Sequence, residues 1–285
     1  MRRRWLVTGC SSGLGRAVAT AAARAGDQVA VTARTTASLE DLVGSWPDRI
    51  TPIALELRDA DQCEGAVRTA ADRMGGIDVL VNNAGSGLFG TVEEVCDAEL
   101  RDQLETLLVG PWRLARQVLP LMRAQGHGHI VNVSSLGGRM AFPGLASYVA
   151  GKYALEGMSQ ALAAEVAPFG VRVTVAEPGV FATRYGSSLA EAAHRLPVYA
   201  QATGEMLDGF RGMEDNEEYG RPEDFADTLL ALVASDLPTP LRVPVGEDAY
   251  AYLEAAEEAA RAEFAAARAL VRPTGTPAGA APAAG

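Results

Sequence analysis

Ser135, Tyr148 and Lys152 have the residue types and the spacing of an acid/base centre. Tyr148 and Lys152 lie four apart in a stretch of helical character, so both side chains leave one helix face. An ammonium beside a phenol stabilises the phenolate, which makes the phenol a usable proton donor and acceptor near neutrality. Ser135 follows an apolar, β-branched run, where a hydroxyl can polarise a carbonyl oxygen. The N-terminus offers a place for a nucleotide. In TGCSSGLG, residues 8–15, Gly9, Gly13 and Gly15 stand between an apolar run and a helical pattern. Glycines there let the backbone turn tightly and approach a pyrophosphate at a helix N-terminus, where the dipole favours negative charge. Arg34 ends the next apolar run, where folds that prefer NAD place an acid for the ribose hydroxyls. Its guanidinium suits a 2′-phosphate through charge-assisted hydrogen bonds, and plain exposure at a strand end is the alternative.

The elements that must hold these residues follow from the hydrophobic pattern. The runs 5–8, 28–33, 50–57, 78–83, 129–134 and 171–176 are short, β-branched and apolar on both faces, as in a parallel sheet covered on both sides. Between them lie Ala-rich helical stretches at 14–25, 60–74, 97–123 and 147–167. Asp59 with Gln62 resembles a capping box, and Arg221-Pro222-Glu223-Asp224 starts a later helix. The alternation predicts an α/β fold, a Rossmann-like doubly wound parallel sheet in a single domain with a C-terminal helical extension. Residues 241–246 read as a last strand, demoted to an edge or bulge by Pro244. We expect the domain to span 1–247, with a helix at 248–271 and a linker-like tail at 272–285. The stretch 184–220 breaks the alternation after the sixth strand, at the sheet's carboxyl end where ligands bind. It reads as a lid over an apolar pocket, the alternative being a surface hairpin with its own small core.

Composition narrows the classes. Of 285 residues, 48% are hydrophobic and 21% charged, as in a soluble globule. Twenty-five basic and 36 acidic residues give −11, the wrong sign for a duplex nucleic acid or an anionic membrane surface. Arg2 to Arg4 precede too short an apolar run for a signal peptide, and no run approaches the ~18 to 20 apolar residues of a membrane span. Cys10, Cys63 and Cys96 are odd in number and lack framework spacing, and His127, His129 and His194 lack neighbouring ligands at metal spacing. The expectation is a cytoplasmic protein acting on a small molecule, with no metal, nucleic acid or membrane partner. Cys10 is expected to fill space, His194 to be solvated and Trp112 to pack between helices.

The chain resembles the short-chain dehydrogenase/reductase family through TGCSSGLG at 8–15, NNAG at 82–85, VSS at 133–135, YVAGK at 148–152 and EPGVFAT at 177–183. These fall in the family's order and span roughly residues 5 to 246. The wording of CSSGLG, ALAAEVAPFG and VTVAEPG resembles bacterial members directed at ketones or alcohols. The resemblance implies NADP(H) as cofactor, supplying the hydride. Gly9, Ser11, Gly13, Leu14 and Gly15 would line its pyrophosphate, with Glu56 and Leu57 bordering the adenine. Asn83, Ala84 and Gly85 would pass under the adenosine ribose, and Pro178, Gly179, Val180 and Thr183 would cradle the nicotinamide end. Tyr148 would exchange the proton, Lys152 would hold the nicotinamide ribose and tune Tyr148, and Ser135 would position the substrate oxygen. Leu88, Phe89, Met140, Phe142, Tyr185 and Tyr199 are the apolar candidates around the substrate. They suggest a ketone on an apolar, polycyclic or aromatic body, of the kind met in secondary metabolism. The family also implies a homo-oligomer, dimer or tetramer, through the helices at 97–123 and 147–167.

Two positions depart from the family. Where its helix between the fourth and fifth strands carries an asparagine three residues before a glycine, ETLLVGPW has Leu107 ahead of Gly110. That asparagine holds a water relaying protons from the lysine, which leucine cannot do. Gly151 replaces the usual serine before Lys152. Three functions therefore compete: an NADPH-dependent ketone reductase, an enzyme of the same fold running a cofactor-neutral dehydration, epimerisation or cyclisation, and a non-enzymatic NADP(H) sensor.

Overall fold

The described residues of this computed structural model are 2–213, 216, 218–235 and 237–270. Its first half runs β1 (Arg4–Val7), α1 (Gly13–Arg24), β2 (Gln28–Ala33), α2 (Glu40–Ser45), β3 (Ile50–Ala54), α3 (Ala60–Met74), β4 (Val79–Asn82), β5 (Leu88–Phe89) and α4 (Asp97–Leu104). The second half runs α5 (Gly110–Gln125), β6 (Gly128–Val133), α6 (Ala146–Val166), β7 (Val171–Pro178), β8 (Ala190–Glu191), α7 (Ala200–Arg211), α8 (Pro222–Ala234), β9 (Arg242–Val245) and α9 (Glu247–Leu270). Seven strands form one parallel sheet in the order β3-β2-β1-β4-β6-β7-β9.

The period of two along each strand separates the two cores. Trp5, Val7, Val79, Val81, Val131 and Val133 pack on one face with α1 and α8. Leu6, Leu80 and Ile130 point the other way, into a layer built from α3, α5 and α6. Both faces are thus covered, which is why the strands read as continuous apolar runs. The strand order reverses between β1 and β4, so the crevice for a ligand opens where Thr8 and Gly9 leave β1 and Asn82 to Gly85 leave β4. Pro244 lies in β9, the edge strand that pairs only with β7. Its missing N–H costs the sheet least there.

The structure corrects the single helix expected at 97–123. It is two helices, α4 and α5, joined by a π-helical turn over Glu105–Val109. Asp59 does cap α3, accepting from the N–H groups of Asp61 and Gln62, but Gln62 reaches Glu56 and the Asp59 side chain rather than closing the reciprocal bond. Among the described residues, the 184–220 stretch forms no core of its own. Its β8 pairs with β5, and the carboxylate of Glu94 accepts from Thr91 N (2.8 Å) and Leu196 N (2.7 Å). Glu99 accepts from Ala193 N at 2.8 Å. Beyond this clamp, Met206, Leu207 and Phe210 of α7 lie on Phe89, Leu107, Leu145 and Tyr148. Only Ala249 and Leu253 of α9 are buried, against Leu136. The tail at 272–285, with residue 271, lies outside the described residues.

Candidate active site

At the switch point two loops are locked together. Gly9 (φ 72°) and Gly13 (φ 58°) take left-handed backbone between β1 and α1. A Cβ on Gly9 would stand 2.8 Å from the Ala84 backbone, and one on Gly15 would overlap the Asn83 amide. Asn83 donates through Nδ2 to the Thr8 carbonyl at 2.9 Å, while Thr8 Oγ1 accepts from the N–H groups of Asn83 and Ala84, also at 2.9 Å. Helix α1 has no acid in its first turn, and Ser12 gives it no side-chain cap. Its leading N–H groups and positive dipole end are therefore left for an anion. Thr183 packs against Gly13, and Arg184 donates to the Ser11 carbonyl at 3.5 Å. Exposed Ser11 and half-buried Leu14 complete this rim. This donor set, on a loop that its glycines let turn tightly, fits a dinucleotide.

The flanks of the cradle are less uniform. Arg34 is exposed and makes no hydrogen bond or ion pair among the described residues. The Glu56 carboxylate is held by Arg58 at 3.0 Å, which keeps it below the usual carboxylate range, with Arg34 adding to the effect. Leu57 is buried in the α3/α5 layer. Pro178 ends β7, and beyond Gly179 the Val180 N–H donates to Asp248 Oδ2 at 2.6 Å. Asp248, at the start of α9, was not expected from sequence; an acid in a helix's first turn ordinarily faces solvent.

Ser135 leaves the carboxyl end of β6 and starts a tight turn, its Oγ accepting from Gly137 N at 3.1 Å. A Cβ on Gly137 would stand 3.0 Å from the Tyr148 ring and 3.6 Å from Ser135 Oγ, so serine and tyrosine are neighbours. Lys152 Nζ lies 5.7 Å from the Tyr148 ring centroid and donates to the Val133 carbonyl at 2.8 Å. A buried chain from Asn82 to Asn132 to Ser159, 2.8 Å at each link, ties α6 to β4 and β6 and fixes this geometry. Burial pushes the Tyr148 phenol up, and the hydroxyls of Ser135 and Tyr185 partly offset that rise. Burial pushes Lys152 down to about 8, against the pull of Glu156. One further signal was present in the sequence. Among 25 basic residues Lys152 is the single lysine, and arginine cannot replace it where a proton must leave.

Leu107 sits on the π-helical turn, 1% exposed, between the cradle and α6. A Cβ on Gly85 would meet Leu107 Cδ2 at 2.9 Å, and one on Gly151 would meet its Cδ1 at 2.9 Å and its Cβ at 3.0 Å. The two departures from the family are therefore one steric fact: leucine fills the space that a serine at 151 would need.

Around Tyr148 the structure gathers Phe89, Phe142 and Tyr185, together with Leu107, Leu145, Leu189 and α7. Leu145 and Leu207 belong to no motif, so sequence reasoning missed them. The Tyr185 ring lies 5.8 Å from that of Tyr148 and 6.1 Å from that of Phe210. Its buried hydroxyl faces that of Tyr148 without a well-formed hydrogen bond and uses the space left by Gly87. Leu88 is buried on β5 outside this group, and Met140 packs beside Phe142 toward Leu136, Ala249 and Leu253. Tyr199 turns outward and donates to Glu93 at 2.6 Å. Cys10 is buried with Sγ on the Val7 carbonyl, and His194 is exposed. Trp112 does not pack between helices; it lies on the outer face of α5, 54% exposed.

Among the described residues no cluster of His, Cys, Asp or Glu could hold a metal ion, and no helix is long and apolar enough to cross a membrane. The short chain dehydrogenase family model matches residues 3–194. Oxidoreductase BOA17 of Botryotinia fuckeliana is 38% identical over 259 residues, 90% of this chain and 94% of that one. A short-chain dehydrogenase from Streptomyces avermitilis superposes with a TM-score of 0.86 at 40% identity, covering 96% of this chain and 98% of its own. A metagenomic short-chain oxidoreductase solved with NADP gives 0.69 at 27% identity, over 85% and 96% of the two chains. Other solved neighbours hold NADH or NAD. A family model over residues 3–194, a curated relative over nine-tenths of the chain and a solved fold over nearly all of it agree, and this chain belongs to the short-chain dehydrogenase family of oxidoreductases.

Proposed function

We propose that the protein uses NADPH to reduce a ketone carried on an apolar small molecule, with Tyr148 as the proton donor. One observation carries the reading. The Tyr148 phenol is buried between Ser135 and Lys152, it packs in an apolar cluster with Phe89, Phe142 and Tyr185, and the Lys152 ammonium lies beside Gly85 of the cradle. Bound NADPH would supply the hydride to the carbonyl carbon. Gly9, Ser11, Gly13, Leu14 and Gly15 hold the pyrophosphate, Asn83 to Gly85 run beneath the ribose, and Pro178 to Val180 with Thr183 border the nicotinamide end. Ser135 Oγ holds the carbonyl oxygen, Tyr148 passes its proton to that oxygen, and the Lys152 ammonium stabilises the phenolate left behind. Arg34, free of ion pairs among the described residues, takes the 2′-phosphate. Phe89, Phe142, Tyr185 and the α7 side chains select an apolar body, with 184–220 as the lid. A cytoplasmic homo-oligomer completes the proposal.

Replacing Tyr148 by Phe should remove turnover while NADPH still binds. Reduction at the wild-type rate in that variant would overturn the assignment. Arg34→Ala should cut the preference for NADPH over NADH by roughly 10- to 100-fold, the worth of a charge-assisted hydrogen bond, read from kcat/KM with each cofactor. Because the ammonium is the working form of Lys152, the reduction rate should fall as pH rises through about 8. Leu107 favours a second reading, the cofactor-neutral dehydration, epimerisation or cyclisation, in which product forms without consumption of NADPH.

A further inference from the structure

Lys152 has lost polar company on one side. Leu107 and Gly151 fill the flank where the family carries asparagine and serine, leaving the Val133 carbonyl as the hydrogen-bond partner of Nζ. On the other side stands Glu156, four residues on along α6, so Tyr148, Lys152 and Glu156 share one buried helix face. Its Oε2 accepts from Arg242 Nε of β9 at 2.9 Å. Its Oε1 is buried without a partner, beside Gly138 and the equally unpartnered Ser134 Oγ.

The other charged groups around this pair are accounted for. Glu177 of β7 lies 3.8 Å from Arg242 and pairs with Arg139 at 3.1 Å, and Arg139 is also drawn to Glu257 of α9 at 2.8 Å. Lys152 itself has the Tyr148 ring beside it, the Ser135 and Tyr185 hydroxyls adjoin that phenol, and the π-helical turn presents Leu107. A buried ammonium loses hydration, and a carboxylate one helical turn away opposes that loss strongly where water is excluded. We propose that Glu156 is a positioning residue for the reaction, keeping Lys152 charged beside Tyr148 in a site where Leu107 and Gly151 leave no room for the family's polar relay. The ionisation pattern agrees. Glu156 pulls against the burial that lowers Lys152, whereas Glu177 is the carboxyl pushed toward the neutral acid, by burial and by Glu156 itself.

This inference rests on the acid/base reading above, and its test separates the two. With a single lysine in the chain, carbon-13-labelled lysine gives one side-chain Cε resonance, whose titration reports the Lys152 charge without substrate. The midpoint in wild type is expected near about 8. In Glu156→Gln it should fall by roughly one unit or more, and the alkaline limb of kcat should move down with it while KM holds. Glu156→Asp, whose carboxylate is withdrawn by one methylene, should give a smaller shift in the same direction, and it decides the matter if Glu156→Gln does not fold. An unmoved lysine midpoint in a folded variant overturns the proposal, and so does a moved midpoint with an unmoved rate limb. Absence of NADPH oxidation by wild type would instead strike the reductase reading, leaving the titration to report Glu156 alone.

Discussion

Leu107 and Gly151 behave as one steric unit, and their coupling is measurable. Gly151→Ser alone places an atom against Leu107 and should cost about 1–3 kcal/mol of stability. Leu107→Asn alone removes a buried apolar group and should cost about 2–5 kcal/mol. Together the two should cost less than their sum, by roughly 0.5–3 kcal/mol, in denaturant titrations; strict additivity would show that the contact does not bind the positions together. Ser135, Tyr148, Lys152 and the glycine loop were legible because each sits in a contiguous run whose element could be read locally. Glu156 and Glu177 were not, because charged residues in a helix or at a strand end ordinarily face solvent. Their burial is decided by β9, α9 and Arg139, which come from elsewhere in the chain.

At the scale of elements, α7 closes over Tyr148 because a glycine allows it. A Cβ on Gly186 would overlap the Phe210 carbonyl, so Gly186→Ala should unseat α7. The expected result is faster proteolysis within 200–211 and a KM for an apolar ketone raised roughly 10-fold, with cofactor affinity unchanged. Unchanged proteolysis and KM would show that α7 takes no part in holding substrate. The strands and the long helices were readable from periodicity, since each buries a regular face. The π-helical turn was not, because one inserted residue shifts the helix phase without changing composition. Leu88, Met140 and Tyr199 lie on a two-residue strand, a loop and a single 3-10 turn, where side-chain direction follows the path of the backbone rather than any period. Pairing with β8, α9 and Glu93 therefore set their places.

Across the whole molecule, the doubly wound sheet buries polar groups that couple stability to pH. His129 of β6 is 2% exposed, with Nε2 2.9 Å from Thr174 Oγ1, and burial with help from Arg172 pushes it down from 6.5 to about 3. Between those values the unfolded chain takes up a proton that the folded chain refuses, so stability should fall as pH drops from 6.5 toward 3. His129→Gln should flatten that part of the melting-temperature profile. An unchanged slope would place the acid sensitivity in the carboxylates instead.

The central claim is that the fold performs net redox chemistry despite Leu107. Its most direct test counts NADPH oxidised against alcohol formed, for wild type and Tyr148→Phe, on a panel of apolar aryl ketones and diketones. The account predicts one NADPH consumed per alcohol by wild type and no turnover by Tyr148→Phe, which still binds the nucleotide. Product formed without loss of NADPH would contradict it and assign the protein to cofactor-neutral chemistry.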